Sequence, residues 1–281
     1  MSELILEPLA YPFMQRGLLA AVMVGVVCAL VGTYIVLRGM TFFGDALAHA
    51  ILPGVAVGYI VGGGGQGPTF WGALATAVLA SLGIGALSKN QRLREDTAIG
   101  IIFAGMFALG IAMISSIGGY AVDLTHFLFG NVLGVSQSDL LLTGVSGGLV
   151  VVTVIAFYKE FLVLSFDPVL AATLRLPTRF LENLLLVLIA VTIVVSLQTV
   201  GIALMVAMLV TPAAAALLLT RRVHLMMILA AVIAAVSGVV GLYFSYYVSI
   251  ASGAAIVLAC TAIFLLVWGG QALRGWFLSK N

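Results

Sequence analysis

Charge is what this sequence lacks. Only 8% of its 281 residues are Asp, Glu, Lys or Arg, while 63% are hydrophobic and mean hydropathy is +1.26. A soluble domain carries about a quarter charged residues, so a water-facing globule is excluded. Continuous apolar runs take its place, each near the roughly 20 residues that cross a bilayer as helix. They do not alternate as the strands of a membrane barrel do. The expected fold class is therefore all-α, a polytopic transmembrane helical bundle in contact with lipid. The net charge of +2 gives no reason to expect nucleic acid as a partner.

Other absences narrow the function. The two cysteines, Cys28 and Cys260, lie alone in apolar runs. Without a CxxC they make neither a disulfide framework nor a metal cluster, and read as small packing hydrophobes. The glycine-rich loop "GGGGQGP" (62–68) lacks the GK[ST] ending of a phosphate-cradling loop, and no Walker-type sequence occurs elsewhere. ATP is thus not expected on this chain through that motif. There is no HExxH, no GxSxG and no second membrane acid to complete a hydrolase site, so an enzyme is not expected. The opening "MSELILEPLAYPFMQRG" has acids ahead of its apolar part and no small-residue cleavage site, unlike a secretory signal. Residues 1–16 read as an amphipathic lead-in, with Arg16 at the membrane edge.

What is there is a series of apolar runs, at about 17–37, 41–61, 69–88, 98–117, 139–158, 182–200, 201–220, 224–247 and 251–270. Nine spans is the best count. The boundary near Gly201 is its weakest point, because one bent helix would reduce the count to eight. Charge placement favours nine. One face then receives Arg38, Lys89, Arg92, Arg94, Lys159, Arg175, Arg179, Arg221, Arg222, Arg274 and Lys280, against Arg16 alone on the other. The positive-inside rule makes the first face cytoplasmic. The C-terminus is then inside and the N-terminus outside.

Two connections are long. The outer one, 118–139, is semi-apolar and suggests a re-entrant excursion. The inner one, 165–183, opens with Asp167-Pro168, a helix-entry signal, and reaches a stop at Pro177. A short helix against the cytoplasmic face fits, as either a linker or a docking element. Glycines four apart, Gly54/Gly58 and Gly144/Gly148, permit close helix approach, a weak signal in a chain with 32 glycines.

The most informative stretch is "RGMTFFGDALAHAIL" (38–52). Asp45 and His49 are four apart and share one helix face. An ionised carboxylate near a helix centre costs about 2.5–3.5 kcal/mol to insert, so such residues usually face a bundle interior or wet cavity and mark an ion route. Carboxylate oxygen and imidazole nitrogen suit zinc, manganese or ferrous iron. Copper(I) is disfavoured, with no cysteine or methionine cluster beside them. One pair is half a site, and a two-fold dimer would bring two pairs together. Read alone, the pair admits three roles: metal ligands, a hydrogen-bonded tie between helices, or a proton relay.

With these residues in hand, the sequence resembles the membrane permease subunit of bacterial ABC-type manganese/zinc importers. The likeness runs through "VLRGMTFFGDALAHAILPGVAVGY", "DTAIGIIFAGMFALGI", "DLTHFLFGNVLGV", "SFDPVLAATLRLP" and "VGIALMVAMLVTPAAAALLL", covering essentially the whole chain in order. The resemblance implies one permease domain over 1–281, a vitamin-B12-importer-like architecture and the bacterial cytoplasmic membrane. It implies a second permease copy, a homodimer or a pair with a close relative. It also implies two cytoplasmic ABC ATPase subunits that carry the ATP, and a separate extracytoplasmic metal-binding protein. Asp45 and His49 correspond to the family's metal-path residues. The segment 165–180, with Asp167, Pro168, Leu170, Leu174 and Arg175, corresponds to the coupling helix for the ATPase.

Other polar positions carry less. Asn131 is a candidate outer-gate group, though its amide can equally cap the re-entrant segment. Pro212 is expected to kink its helix beside Thr211, and Ser196 and Gln198 to be packing or surface polars. The transported ion is expected to be divalent manganese or zinc, with ferrous iron a third candidate. Uptake should weaken in acid, because protons compete for both ligands. A proton-coupled secondary carrier using the same pair is the alternative.

Overall fold

The computed structural model describes residues 7–63, 65–88, 94–116 and 132–279. In chain order the helices are α1 (Pro12–Leu37), α2 (Phe43–Ala50), α3 (Leu52–Val61), α4 (Gln66–Ser88) and α5 (Glu95–Ser116). A short 3-10 turn, Val132–Gly134, precedes α6 (Gln137–Ala156), α7 (Tyr158–Phe166) and α8 (Pro168–Thr173). The chain closes with α9 (Thr178–Val200), α10 (Ile202–Leu219), α11 (Val223–Val248) and α12 (Ser252–Ser279). No strand occurs among the described residues. Helices are what apolar solvent demands, since each backbone N–H and C=O must be satisfied within its own segment.

Gly201 decides the span count. It adopts φ 83°, ψ 170°, a region essentially closed to residues with a Cβ. Its N–H still donates to the Leu197 carbonyl at 2.9 Å, so α9 ends cleanly and α10 starts at the next residue. Among the described residues nine helical segments are long and apolar enough to cross a membrane, α2 and α3 counting as one. Their bounds match the expected runs to within a few residues. The first helix begins earlier than expected, at Pro12 inside the expected lead-in, because proline is preorganised for a first-turn position.

The core lies where α1, α9, α10 and the α2–α3 segment meet; at least half of each is buried. In α5 and α12 only 17% of the apolar window is buried, so these helices turn most of their surface outward. Gly54 and Gly72 set the approach of α3 to α4. A Cβ on either would strike the other's carbonyl oxygen, so the backbones touch as small-residue packing allows. At the second expected pair, Gly144 meets the Met23 side chain but Gly148 faces open space. Inside the bundle polar groups pair off. Thr143 and Thr199 hydroxyls are 2.8 Å apart, and Ser196 Oγ lies 3.3 Å from Cys28 Sγ. Both cysteines are free and buried, and Gln198 is exposed. Pro212 lies inside α10, which continues through it.

Two features were not foreseen. Helix α7 follows α6 after Phe157 alone, which leaves helical geometry at φ −101°, ψ 21°, with no proline or glycine to announce the break. Ser136 and Asp139 form a reciprocal capping box at the start of α6, so the acid at that span boundary is structural.

Candidate functional site

Helix α1 ends in "RGM". Gly39 at φ 72° lets the chain reverse, its N–H donating to Val36 O at 3.1 Å and the Met40 N–H to Ile35 O at 3.0 Å. That closure is a Schellman-type stop. The chain re-enters at Phe43, so Asp45 lies in the first turn of α2. A carboxylate there meets the favourable, positive end of the helix dipole. Phe43, Ala46, Leu47 and Ala50 anchor α2 in the core. Asp45 and His49 occupy the other side, with 38% and 25% of their side chains exposed.

Asp45 Oδ1 and His49 Nε2 are 3.8 Å apart, beyond a hydrogen bond's usual 2.7–3.2 Å. Both belong to α2, so their pairing ties no two helices together. An oxygen and a nitrogen, each of a kind that can bind a metal ion, thus lie on one side of α2. Among the described residues no group of three or more His, Cys, Asp or Glu side chains could hold a metal. The pair by itself offers two such atoms.

Sequence reasoning missed what holds His49. Phe103 and Phe107 of α5 stack on each other at 5.6 Å, and the imidazole stands edge-on to both, at 6.1 Å and 5.6 Å. The i, i+4 spacing of the two phenylalanines was visible, but not the helix they would face. Pro53, four residues after His49, has no N–H to give the His49 carbonyl, which explains the interruption between α2 and α3 at Ile51.

The segment expected to couple to an ATPase is built as follows. Asp167 Oδ1 accepts from the N–H groups of Val169 and Leu170, each at 2.9 Å, capping α8, and Pro168 takes the first position. Arg175 closes the helix in the left-handed region at φ 56°. Its N–H donates to Ala172 O, and the Leu176 N–H to Ala171 O. Ala171 is buried, while Val169, Leu170 and Leu174 stand exposed. The expected single helix is thus a six-residue turn with an outward apolar side, flanked by α7 and α9. Asn131 and His126 lie outside the described residues, as does most of the expected re-entrant segment. His224 is exposed at the start of α11.

Near the end of α1 a cavity of about 150 Å³ is lined by Arg38, Ser88, Glu95 and Glu182 among others. Burial pulls the Arg38 guanidinium below its usual range, and the carboxylates of Glu95 and Glu182 oppose that shift. No motif announced this convergence, because its members come from four separate helix ends.

A profile described as "ABC 3 transport family" matches residues 10–270. The chain belongs to the ABC 3 transport family. It is 48% identical over 271 residues to the manganese transport system membrane protein MntC of Listeria innocua, covering 96% of this chain and 95% of that one. It is 40% identical over 274 residues to a probable iron transport system membrane protein of Haemophilus influenzae, covering 98% and 99%. Among solved structures, PsaBC from Streptococcus pneumoniae in complex with Fab superposes with a TM-score of 0.81 at 38% identity, covering 95% of each chain. The chain is accordingly a multi-pass plasma-membrane permease of an ABC metal importer, not itself an enzyme. An importer permease of this kind works with an ATPase and a substrate-binding partner.

Proposed function

We propose that this permease passes divalent manganese, with ferrous iron and zinc as further candidates, between two copies of the chain. Asp45 and His49 of each copy would form the transient site. The observation that carries this reading is the Asp45–His49 pair itself. Two atoms able to ligate a metal share one face of α2, partly exposed and, among the described residues, without a third such group beside them. Two such pairs across a two-fold axis supply two oxygens and two nitrogens, a set that suits these ions. A path must bind loosely, since an ion held firmly does not leave. The names of the relatives, for manganese and for iron, put manganese and ferrous iron ahead of zinc.

In this reading the basic end of the bundle faces the cytoplasm, with the C-terminus inside and the N-terminus outside. An extracytoplasmic binding protein delivers metal at the opposite face, where Asn131 is the candidate gate. The ATPase, which holds the ATP, docks on the outward apolar side of α8. Asp167 and Pro168 build that turn, Leu170 and Leu174 present its surface, and Arg175 fixes its end. The whole chain acts as one permease domain.

Reconstitution with the cognate ATPase and binding protein tests this. Manganese uptake into proteoliposomes should need ATP and survive an uncoupler. It should be competed by ferrous iron better than by zinc. Uptake that persists without ATP and collapses with an uncoupler would instead favour the proton-coupled alternative, to which the family match lends no support.

A further inference from the structure

The cavity at the end of α1 is lined from α4, α5, α9 and the turn that leads into α2. Arg38 caps α1 and leads through Gly39 directly into α2, which carries Asp45 and His49. Glu95 opens α5, whose Phe103 and Phe107 hold the His49 ring. Glu182 lies in the second turn of α9, the helix that leaves the α8 docking turn. A further contact ties the same end of α1 to the other flank of α8. Tyr34, in the last turn of α1, packs edge-on to Phe161 of α7 at 5.6 Å. The end of α1 therefore touches the chain on both sides of α8.

We propose that Arg38 is a positioning residue that couples the docking turn to the metal site, its guanidinium shared between Glu182 on the docking side and Glu95 on the His49 side. Among the described residues, the two carboxylates and the guanidinium line one space of about 150 Å³. That is room for several waters, at roughly 30 Å³ each. Arginine suits this task, because its planar fork stays charged and can serve two carboxylates from one position. A push on α8 moves the start of α9, and with it Glu182. The guanidinium then redistributes towards Glu95, and α2 and α5 shift with respect to each other. Since α2 holds His49 and α5 holds the rings against it, the ligand geometry changes with the docking state. Removal of Arg38 takes the shared charge from between the two carboxylates, so movement at one end is passed on less well to the other.

This inference rests on the proposed metal route, and its test separates the two. Wild-type and variant permeases are assembled with the ATPase and binding protein in proteoliposomes, and manganese taken up per ATP hydrolysed is measured. Arg38→Gln should lower that ratio about tenfold, an ordinary coupling energy, while ATP hydrolysis stays within about twofold of wild type. Arg38→Lys, which keeps the charge but not the planar fork, should recover only part of the ratio. Glu182→Gln should lower the ratio as well, and Arg38→Gln with Glu182→Gln should be no worse than Arg38→Gln alone. Glu182→Gln also serves if Arg38→Gln fails to assemble. An unchanged ratio in the assembled variants overturns the proposal while leaving the metal route intact. So does uptake that falls only in proportion to the amount of assembled complex. Failure of the route itself would appear differently, as wild-type uptake indifferent to Asp45 and His49.

Discussion

The His49 imidazole stands edge-on to the Phe107 ring, centroids 5.6 Å apart and planes at 81°. The quadrupole of an aromatic ring favours this arrangement, by about 0.5–1.5 kcal/mol beyond area burial. With Phe103 stacked behind Phe107, α5 fixes the plane in which the ring nitrogens point. Phe107→Ala should therefore weaken uptake at subsaturating metal by about two- to tenfold, the factor that this energy represents. Phe107→Leu, which keeps bulk but not the quadrupole, should fall between. Initial-rate uptake against metal concentration distinguishes them, and identical curves for all three proteins would refute the positioning role.

Gly54 and Gly72 bring α3 and α4 into backbone contact. Gly54→Leu should be strongly destabilising, costing at least the roughly 1–3 kcal/mol of ordinary overpacking, because backbone rather than a flexible side chain is in the way. Gly148→Leu, facing open space, should change stability little. Thermal unfolding of the purified variants in detergent makes the comparison.

Arg175 holds φ 56° without being glycine, at a cost of about 1–2 kcal/mol. Arg175→Gly should raise the unfolding temperature, and Arg175→Val, with its branched Cβ, should lower it. If Arg175→Gly is more stable yet binds the ATPase less well, the guanidinium has a docking role separate from the turn.

Among the described residues, Tyr34 Oη is buried without a hydrogen-bond partner. An unsatisfied buried polar group costs about 1–3 kcal/mol, so Tyr34→Phe should leave stability unchanged or raise it while keeping the ring contact with Phe161. A clear fall in unfolding temperature would mean that the hydroxyl bonds a group in the membrane-embedded protein.

The spans were legible because sparse charge and unbroken apolar runs leave few other ways to place this chain. Gly201 was readable as a boundary, but its backbone geometry was needed to make two helices of it. Asp45 and His49 were legible from spacing alone, since i and i+4 on a helix must share a face. Their setting was not. Whether α5 or another helix faces His49 is a tertiary fact that helix periodicity does not encode. The meeting of Arg38, Glu95 and Glu182 was hidden for the same reason, as was the break at Phe157, where no residue type marks the end of α6. The start of α2 at Phe43, which puts Asp45 in the first turn, follows from the Gly39 reversal. An apolar run shows roughly where a helix lies, not where its first hydrogen bond forms.

The most direct test of the central claim is manganese uptake by the reconstituted complex carrying Asp45→Ala and His49→Ala together, with membrane level and ATPase assembly matched to wild type. Uptake should fall to the level of liposomes without ATP, because both ligands that each copy offers the ion are gone. Wild-type uptake in that variant would contradict a metal route through these residues.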